Sequence, residues 1–132
     1  MEPVEQNKNT AIQTPNAPHA IGPYSQAICR GAVVYLSGQI PLDPTTMTKV
    51  TGGFDQEAIQ VFENLKAVAI AAGGSLNSIV KLTIYLTDLS LFSRLNQIME
   101  EYFSPPYPAR ATIQVSALPK EASIEIDGIM VL

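Results

Sequence analysis

Apolar residues in the middle of the chain recur every three or four positions, the spacing that places side chains on one face of an α-helix. The first such stripe comprises Phe54, Ala58, Val61, Leu65, Val68 and Ala72. It predicts a helix of about twenty residues, and Gly73-Gly74 supplies the glycine that commonly ends one.

A second stripe with the same spacing comprises Leu91, Phe92, Leu95, Ile98, Met99 and Tyr102. Either Asp88 or Ser90 can cap its N-terminus, because short polar side chains accept hydrogen bonds from the free N–H groups of a first turn. Pro105-Pro106 is expected to stop this second helix, since proline cannot continue the hydrogen-bond ladder.

Of the five segments predicted as strands, the last three alternate between apolar and polar residues, which is the period of a β-strand. Residues 25–29 and 32–38 flank Arg30-Gly31 and predict a hairpin. Residues 80–87 predict a strand with two different faces, and residues 110–117 and 124–130 predict two more strands joined by a turn at 118–122. In the segment after Pro108, the apolar face is assigned to Ala111, Ile113, Val115 and Ala117, and the polar face to Arg110, Thr112, Gln114 and Ser116.

The order strands, helix, strand, helix, two strands predicts an α+β domain with one mixed or antiparallel sheet and two helices on one of its faces. A length of 132 residues fits one domain, assigned to residues 11–132 after a polar, flexible tail at 1–10. The uncovered face is predicted to carry Lys81, Thr83, Tyr85, Thr87, Arg110, Thr112, Gln114, Glu125 and Asp127. This face is polar without being densely charged, so copies of the chain are expected to meet there; an ordinary solvated face is the alternative.

Net charge and composition argue against several classes of function. The formal net charge of −4 argues against nucleic-acid binding, which needs a basic surface. Charged residues make up only 15%, against about 25% in a typical domain, which favours a homo-oligomer with hidden surface. One histidine and one cysteine cannot form a usual zinc site or an internal disulfide. No signal-peptide pattern opens the chain and no apolar run is long enough to span a bilayer, so the sequence predicts a cytoplasmic protein without membrane association.

Three stretches together resemble one known family. They are Gly22-Pro23-Tyr24-Ser25-Gln26, then Ser37-Gly38-Gln39-Ile40-Pro41, and finally Pro108-Ala109-Arg110 followed by Val115-x-x-Leu118-Pro119-Lys120 and Ile124-Glu125-Ile126. In this order they are similar to the RidA/YjgF family of enamine and imine deaminases, also described as endoribonuclease L-PSP. The similarity runs from about Ala11 to Val131.

The resemblance implies a chorismate-mutase-like α+β fold and a homotrimer whose sheets pack into a central barrel. It places ligand sites in the clefts between subunits. The implied activity is the hydrolysis of 2-imino acids such as 2-aminoacrylate and 2-aminocrotonate to 2-keto acids and ammonia. The implied reaction requires neither a cofactor nor a metal.

The family pattern also implies roles for individual residues. Arg110 falls on the carboxylate-binding arginine, a role suited to a guanidinium fork that makes two parallel hydrogen bonds. Glu125 falls on an acidic residue that would position and deprotonate water, and Tyr24 on a site tyrosine. The substrate-binding positions are Arg110, Ser37, Gly38, Thr112 and Phe92.

Each role has a structural alternative. Arg110 can be an ordinary salt-bridge residue, Glu125 a solvated side chain, and Tyr24 a loop-packing residue. Phe92 fits the hydrophobic core as well as a cleft, since it belongs to a helical stripe. Many relatives have cysteine where this chain has Thr112, so a thiol nucleophile is not expected here.

Strand spacing adds one hypothesis. If the last two strands form a hairpin, Glu125 lies opposite Ser116 or Gln114, and Arg110 lies about 13–20 Å away along the strand. Arg110 and Glu125 would then complete one site from adjacent chains.

Two other functions compete with catalysis. One is a non-catalytic sensor of small carboxylates. The other, less favoured because of the acidic net charge, is a ribonuclease or translation inhibitor.

Overall fold

A computed structural model describes residues 7–132, so the first six residues of the predicted tail lie outside the described range. The strands are β1 (Thr10–Ile12), β2 (Ala27–Arg30), β3 (Val33–Gln39), β4 (Ile79–Leu86), β5 (Ala109–Gln114) and β6 (Ile124–Val131). The helices are α1 (Phe54–Ala71) and α2 (Phe92–Met99). Short 3₁₀ turns lie at Leu76–Ser78, Leu89–Leu91 and Pro119–Glu121.

The strands form one mixed sheet in the order β1-β2-β3-β6-β4-β5. Only β4 and β5 pair in parallel, and the other neighbours are antiparallel. The predicted α+β class, with both helices on one sheet, is therefore confirmed. The hairpin of β2 and β3 is also confirmed, and its turn residue Gly31 has φ 62°, a conformation that glycine adopts without strain.

The predicted stripe of α1 lies in the core. Ala58, Val61, Leu65 and Val68 are at most 1% exposed and pack with buried strand residues that include Leu82, Ile84, Ile124 and Ile126. The helix ends where predicted, because Gly73 has φ 99° and its N–H donates to the carbonyl of Ile70.

The second helix is shorter than predicted. Asp88 caps the 3₁₀ turn Leu89–Leu91, accepting a hydrogen bond from the Ser90 N–H at 3.0 Å, and α2 itself begins at Phe92. The helix ends at Met99, and Tyr102, assigned to its stripe, lies in the following turn and stacks on Phe62 with ring centroids 5.1 Å apart.

The predicted pairing of the last two strands is wrong. β6 lies between β3 and β4, while β5 pairs with the outer side of β4. Glu125 consequently lies opposite Tyr85, and not opposite Ser116 or Gln114. The burial of Ile124, Ile126 and Met130 explains the arrangement, since the strand with the more apolar side chains takes the central position.

The face assignment within β5 is also wrong. Arg110 pairs with Leu82 and Thr112 with Ile84, which are buried under the helices, so the side chains of Arg110, Thr112 and Gln114 lie on the helix side of the sheet. Ala111 and Ile113 lie on the open side, where Ile113 is 45% exposed. The predicted alternation along β5 was correct, but its two faces were exchanged. Because β5 is an edge strand, its polar residues can face the margin of the helix layer.

The open face, defined as the side of the sheet opposite the helices, is consequently more apolar than predicted. Its apolar members include Ile28, Val33, Tyr35, Ile113, Ile129 and Val131, and none of these is fully buried. The association of copies through this face remains a prediction. Within residues 7–132, neither helix has the length and apolarity that crossing a bilayer requires.

Candidate functional site

Arg110 lies where the edge strand β5 passes the helix α2. One terminal nitrogen, Nη1, donates to Oδ1 of Asn96 at 2.7 Å, and the same nitrogen lies 3.5 Å from Sδ of Met99. The Phe92 ring centroid is 5.0 Å from Cζ of Arg110, within the range of a cation–π interaction. These contacts fix the guanidinium from the side of α2. None of the hydrogen bonds found among residues 7–132 uses Nε or Nη2 of Arg110, so both can bind another partner.

The guanidinium lines a cavity of about 330 Å³. We call this cavity the guanidinium pocket; it is lined by Asn96, Met99, Glu100, Tyr107, Pro108 and Arg110. No carboxylate among residues 7–132 forms an ion pair with Arg110, although Glu100 also lines the pocket. Partial burial lowers the pKa of Arg110, yet an arginine remains charged at any physiological pH. The pocket therefore holds a cation available to an anion.

Phe92 is 38% exposed and contacts this cation, so it is not an ordinary core residue of α2. Sequence analysis did not identify Asn96, which lies one helical turn after Phe92 and holds the guanidinium. The spacing of Phe92 and Asn96 is the only signal in the sequence that they share a face of α2. That β5 passes beside this face follows from the tertiary fold alone.

Thr112 lies on the same side of β5 as Arg110, but it does not line the guanidinium pocket. Its Oγ1 is enclosed, and no hydrogen-bond partner is found for it within the described part of the chain. A buried hydroxyl without a partner is unfavourable, because it has lost its hydrogen bonds to water.

Replacing Thr112 with valine, which has nearly the same shape, should therefore stabilise the protein. We expect the free energy of unfolding to rise by about 1–2 kcal/mol and the melting temperature by a few degrees, measured by denaturant and thermal unfolding. Thr83→Val, on the half-exposed open face, is the matched control and should change stability by less than about 0.5 kcal/mol. A loss of stability in Thr112→Val alone would show that the hydroxyl has a partner in solution.

Glu125 lies on the open face, next to Gly38. The pairing of β3 with β6 contains a β-bulge, in which two residues of β3, Ser37 and Gly38, lie opposite one residue of β6, Asp127. A Cβ atom built on Gly38 would lie 3.0 Å from Cδ of Glu125 and still closer to Oε2. Only a glycine lets the Glu125 carboxylate pack directly on the backbone here.

Tyr24 lies at the same end of β3. Tyr24 and Gly38 line one small cavity, and the Tyr24 hydroxyl accepts a hydrogen bond from the Ile21 N–H at 3.2 Å. The Ser37 hydroxyl donates to the carbonyl of Ser25 at 2.6 Å and ties this end of β3 to the loop that carries Tyr24. We call Tyr24, Ser37, Gly38 and Glu125 the carboxylate cluster.

The Glu125 carboxylate is half-buried and keeps its lone pairs free. None of the hydrogen bonds found between residues 7 and 132 involves its side chain. Burial, together with the nearby charge of Asp127, raises the pKa of Glu125 above its ordinary value. The side chain is therefore a stronger base than a solvated glutamate and can accept a hydrogen bond from water.

The guanidinium pocket and the carboxylate cluster do not meet within one chain. Arg110 points to the helix side and Glu125 to the open side, and β4 lies between their strands. Arg110 is level with Leu82 and Glu125 with Tyr85, which places the two Cα atoms about 14 Å apart by ordinary strand spacings. The structure thus brings Arg110 to Phe92 and brings Glu125 to Gly38, but it does not join these two groups.

Comparisons with known proteins agree with this fold. Residues 14–132 match the family model described as Endoribonuclease L-PSP. The chain is 52% identical over 123 residues to Protein DfrA of Myxococcus xanthus, covering 92% of this chain and 94% of the relative. It is 46% identical over 121 residues to the 2-iminobutanoate/2-iminopropanoate deaminase of Dermatophagoides farinae, covering 92% and 94%.

Among solved structures, RidA from the Antarctic bacterium Psychrobacter sp. PAMC 21119 superposes with a TM-score of 0.90 at 52% identity, covering 93% of this chain and 99% of that one. The motifs around Tyr24, Gly38, Arg110 and Glu125 are part of this full-length similarity. The chain belongs to the RidA/YjgF family.

Proposed function

We propose that this protein hydrolyses 2-imino acids and their enamine tautomers, such as 2-aminoacrylate and 2-aminocrotonate, to 2-keto acids and ammonia. The observation that carries the proposal is the half-buried guanidinium of Arg110, which lines a cavity of about 330 Å³ with no carboxylate of residues 7–132 paired to it. That volume suits a small organic acid. Relatives that are 43–46% identical bear the name 2-iminobutanoate/2-iminopropanoate deaminase.

Arg110 would bind the substrate carboxylate through Nε and Nη2, since Nη1 is held by Asn96. Two parallel charge-assisted hydrogen bonds fix the orientation of the acid as well as its position. Phe92 would contribute an apolar wall beside the bound carboxylate. The C=N carbon adjacent to that carboxylate would then be held in one place for attack.

Glu125 would act on the attacking water. Its carboxylate takes a proton as the water oxygen bonds to C2 of the protonated imine, and the C=N electron pair moves to nitrogen, which gives a neutral carbinolamine. Glu125 then gives this proton to nitrogen, which makes it a good leaving group. The carboxylate takes the hydroxyl proton as the C–O double bond forms and the C–N bond breaks, ammonia leaves, and Glu125 releases that proton to solvent. Tyr24 and the backbone at Gly38 would hold the water and the nitrogen on the same side.

C=N bonds of this kind react with water spontaneously. Positioning the substrate and the water therefore accounts for much of the rate acceleration that the site must provide. No step assigned here calls on a cofactor. The chain's own groups bind the acid, orient the water and carry one proton between water and nitrogen.

A homotrimer with one site at each subunit boundary is part of this proposal. The pocket lies beside the edge strand β5, and the carboxylate cluster lies at the end of β3 on the open face. A neighbouring copy packed against the apolar open face would bring its own carboxylate cluster toward the pocket. The separation within one chain, about 14 Å and across the sheet, supports a site shared between chains.

A coupled assay tests the function. A threonine dehydratase releases 2-aminocrotonate, and 2-oxobutanoate is followed at low temperature and alkaline pH, where the free imine persists. We expect this protein to speed keto-acid release at least tenfold over the dehydratase alone. Unchanged release together with saturable binding of 2-oxobutanoate by calorimetry would instead identify a non-catalytic sensor. Cleavage of RNA is not expected at a net charge of −4.

A further inference from the structure

Two further polar side chains lie beside Glu125 on the open face. Tyr85 in β4 is directly opposite Glu125, and Asp127 follows Glu125 by two positions in β6. The Tyr85 hydroxyl donates to Oδ2 of Asp127 at 2.9 Å. The phenol therefore extends diagonally past Glu125, its register partner, and donates to Asp127, the next acidic residue along β6.

This choice of partner matters because a phenol has only one proton to donate. With that proton engaged by Asp127, Tyr85 holds the Asp127 carboxylate in place and leaves the Glu125 carboxylate without a donor from β4. The hydrogen bond and the charge of Asp127 raise the pKa of Tyr85, so the phenol remains a donor throughout the neutral range.

We propose that Tyr85 and Asp127 act as a positioning pair that keeps a negative charge fixed beside Glu125 and makes Glu125 a stronger base. The proposal rests on the function assigned above, in which Glu125 accepts a proton from the attacking water. Asp127 lies two positions from Glu125 on the same face of β6. Its negative charge disfavours a second negative charge on Glu125, so the protonated form of Glu125 gains stability. A base that binds its proton more strongly draws it from water more effectively.

Burial is the larger cause of the raised pKa of Glu125, and Asp127 is the charged side chain that adds to it. Lys81 lies on the same face of β4, four positions from Tyr85, and its positive charge would act in the opposite direction. The open side of β5 presents Ala109, Ala111 and Ile113. The other titratable side chains on this side are Tyr35 in β3, Arg30 at the far end of β2 and Tyr24 beside Gly38.

The direct test is the proton affinity of Glu125 itself, followed by ¹³C NMR of the glutamate carboxyl carbons with Glu125→Gln for assignment. In Asp127→Asn the pKa of Glu125 should fall by about 0.5–1 unit, because one charge at this distance is removed. Asp127→Glu, which keeps the charge, should retain most of the wild-type value. An unchanged pKa of Glu125 in Asp127→Asn overturns the proposal, whatever the activity of that variant.

A double-mutant cycle separates Tyr85 from Asp127. Tyr85→Phe frees the Asp127 carboxylate to turn toward water and should lower the pKa of Glu125 by less than Asp127→Asn does. The double variant should match Asp127→Asn, because Tyr85 acts only through Asp127. Tyr35→Phe removes a hydroxyl elsewhere on the same face and should leave the pKa of Glu125 unaltered. Additive shifts in the double variant would contradict a joint role.

Enzyme kinetics distinguish this proposal from the proposed function. The acid limb of the kcat/KM profile should move to lower pH in Asp127→Asn by the same amount as the pKa measured by NMR. If the NMR value moves while the acid limb does not, the pair acts as proposed and Glu125 is not the base. If Glu125→Gln retains full activity, the catalytic role of Glu125 fails independently of the pair.

Discussion

Replacing Arg110 with alanine is expected to reduce kcat/KM for 2-imino acid hydrolysis by about 10²–10⁴-fold. The loss corresponds to two charge-assisted hydrogen bonds to the substrate carboxylate, each worth about 1.5–3 kcal/mol when water is excluded. The same substitution should abolish measurable binding of 2-oxobutanoate, which carries the same carboxylate. The coupled dehydratase assay and calorimetry report the two quantities separately.

Arg110→Lys tests whether the fork geometry matters as well as the charge. Lysine keeps the positive charge but offers no planar pair of donors, so kcat/KM should fall between that of wild type and that of Arg110→Ala. Arg94→Ala is the matched control: Arg94 lies on α2 and makes a bidentate ion pair with Asp55, but it does not line the pocket. If Arg94→Ala lost as much activity as Arg110→Ala, the loss in Arg110→Ala would reflect a disturbed α2 and not a lost contact with the substrate.

Much of the fold follows from local patterns in the sequence. The stripe of α1 ends at a glycine whose left-handed backbone closes the helix, and both features lie close together in the chain. The alternation in β4 likewise predicts the buried face of Leu82, Ile84 and Leu86, because one side of the sheet is covered by helices. It is wrong for Val80, which is 49% exposed because the register shifts between Ile79 and Lys81.

The order and orientation of the last two strands do not follow from such patterns. A short connection between two alternating segments usually indicates a hairpin. Here the chain crosses β4 instead, through a turn in which Lys120 and Glu121 both have positive φ. Alternation fixes the period of β5, whereas its position at the sheet edge decides which set of side chains faces the helices.

The candidate site was predictable only in part for the same reason. Arg110, Glu125 and Tyr24 lie in short motifs that resemble a family, so each can be found without knowing the fold. Asn96 and Asp127 were not identified as parts of the site, because their contacts join segments distant in the chain, α2 with β5 and β4 with β6. The sequence marks chemical groups, and the pairing of strands and helices determines which of them cooperate.

Placement on opposite faces of the sheet gives the shared-site hypothesis a firmer basis than the spacing along a hairpin that first suggested it. A ligand bound to Arg110 on the helix side cannot reach the Glu125 carboxylate of the same chain through β4. In a closed ring of identical subunits, however, each chain can offer its pocket to one neighbour and its carboxylate cluster to the other. Activity should then depend on which chains are adjacent.

Mixing two inactive variants tests this dependence. In oligomers reassembled from equal amounts of Arg110→Ala and Glu125→Ala chains, about a quarter of the shared sites contain both intact residues, so activity should recover to about a quarter of the wild-type value. Sites contained within one chain would give no recovery at any mixing ratio.

The reciprocal mixture is the matched control. Equal amounts of wild-type chains and chains carrying both substitutions should give about a quarter of wild-type activity if the sites are shared, but about half if each chain holds its own site. Native mass spectrometry of isotope-labelled chains confirms that subunits have exchanged before the rates are compared. Recovery in the first mixture together with a quarter in the second would establish that the guanidinium and the carboxylate of each site come from different subunits, and half in the second mixture would refute it.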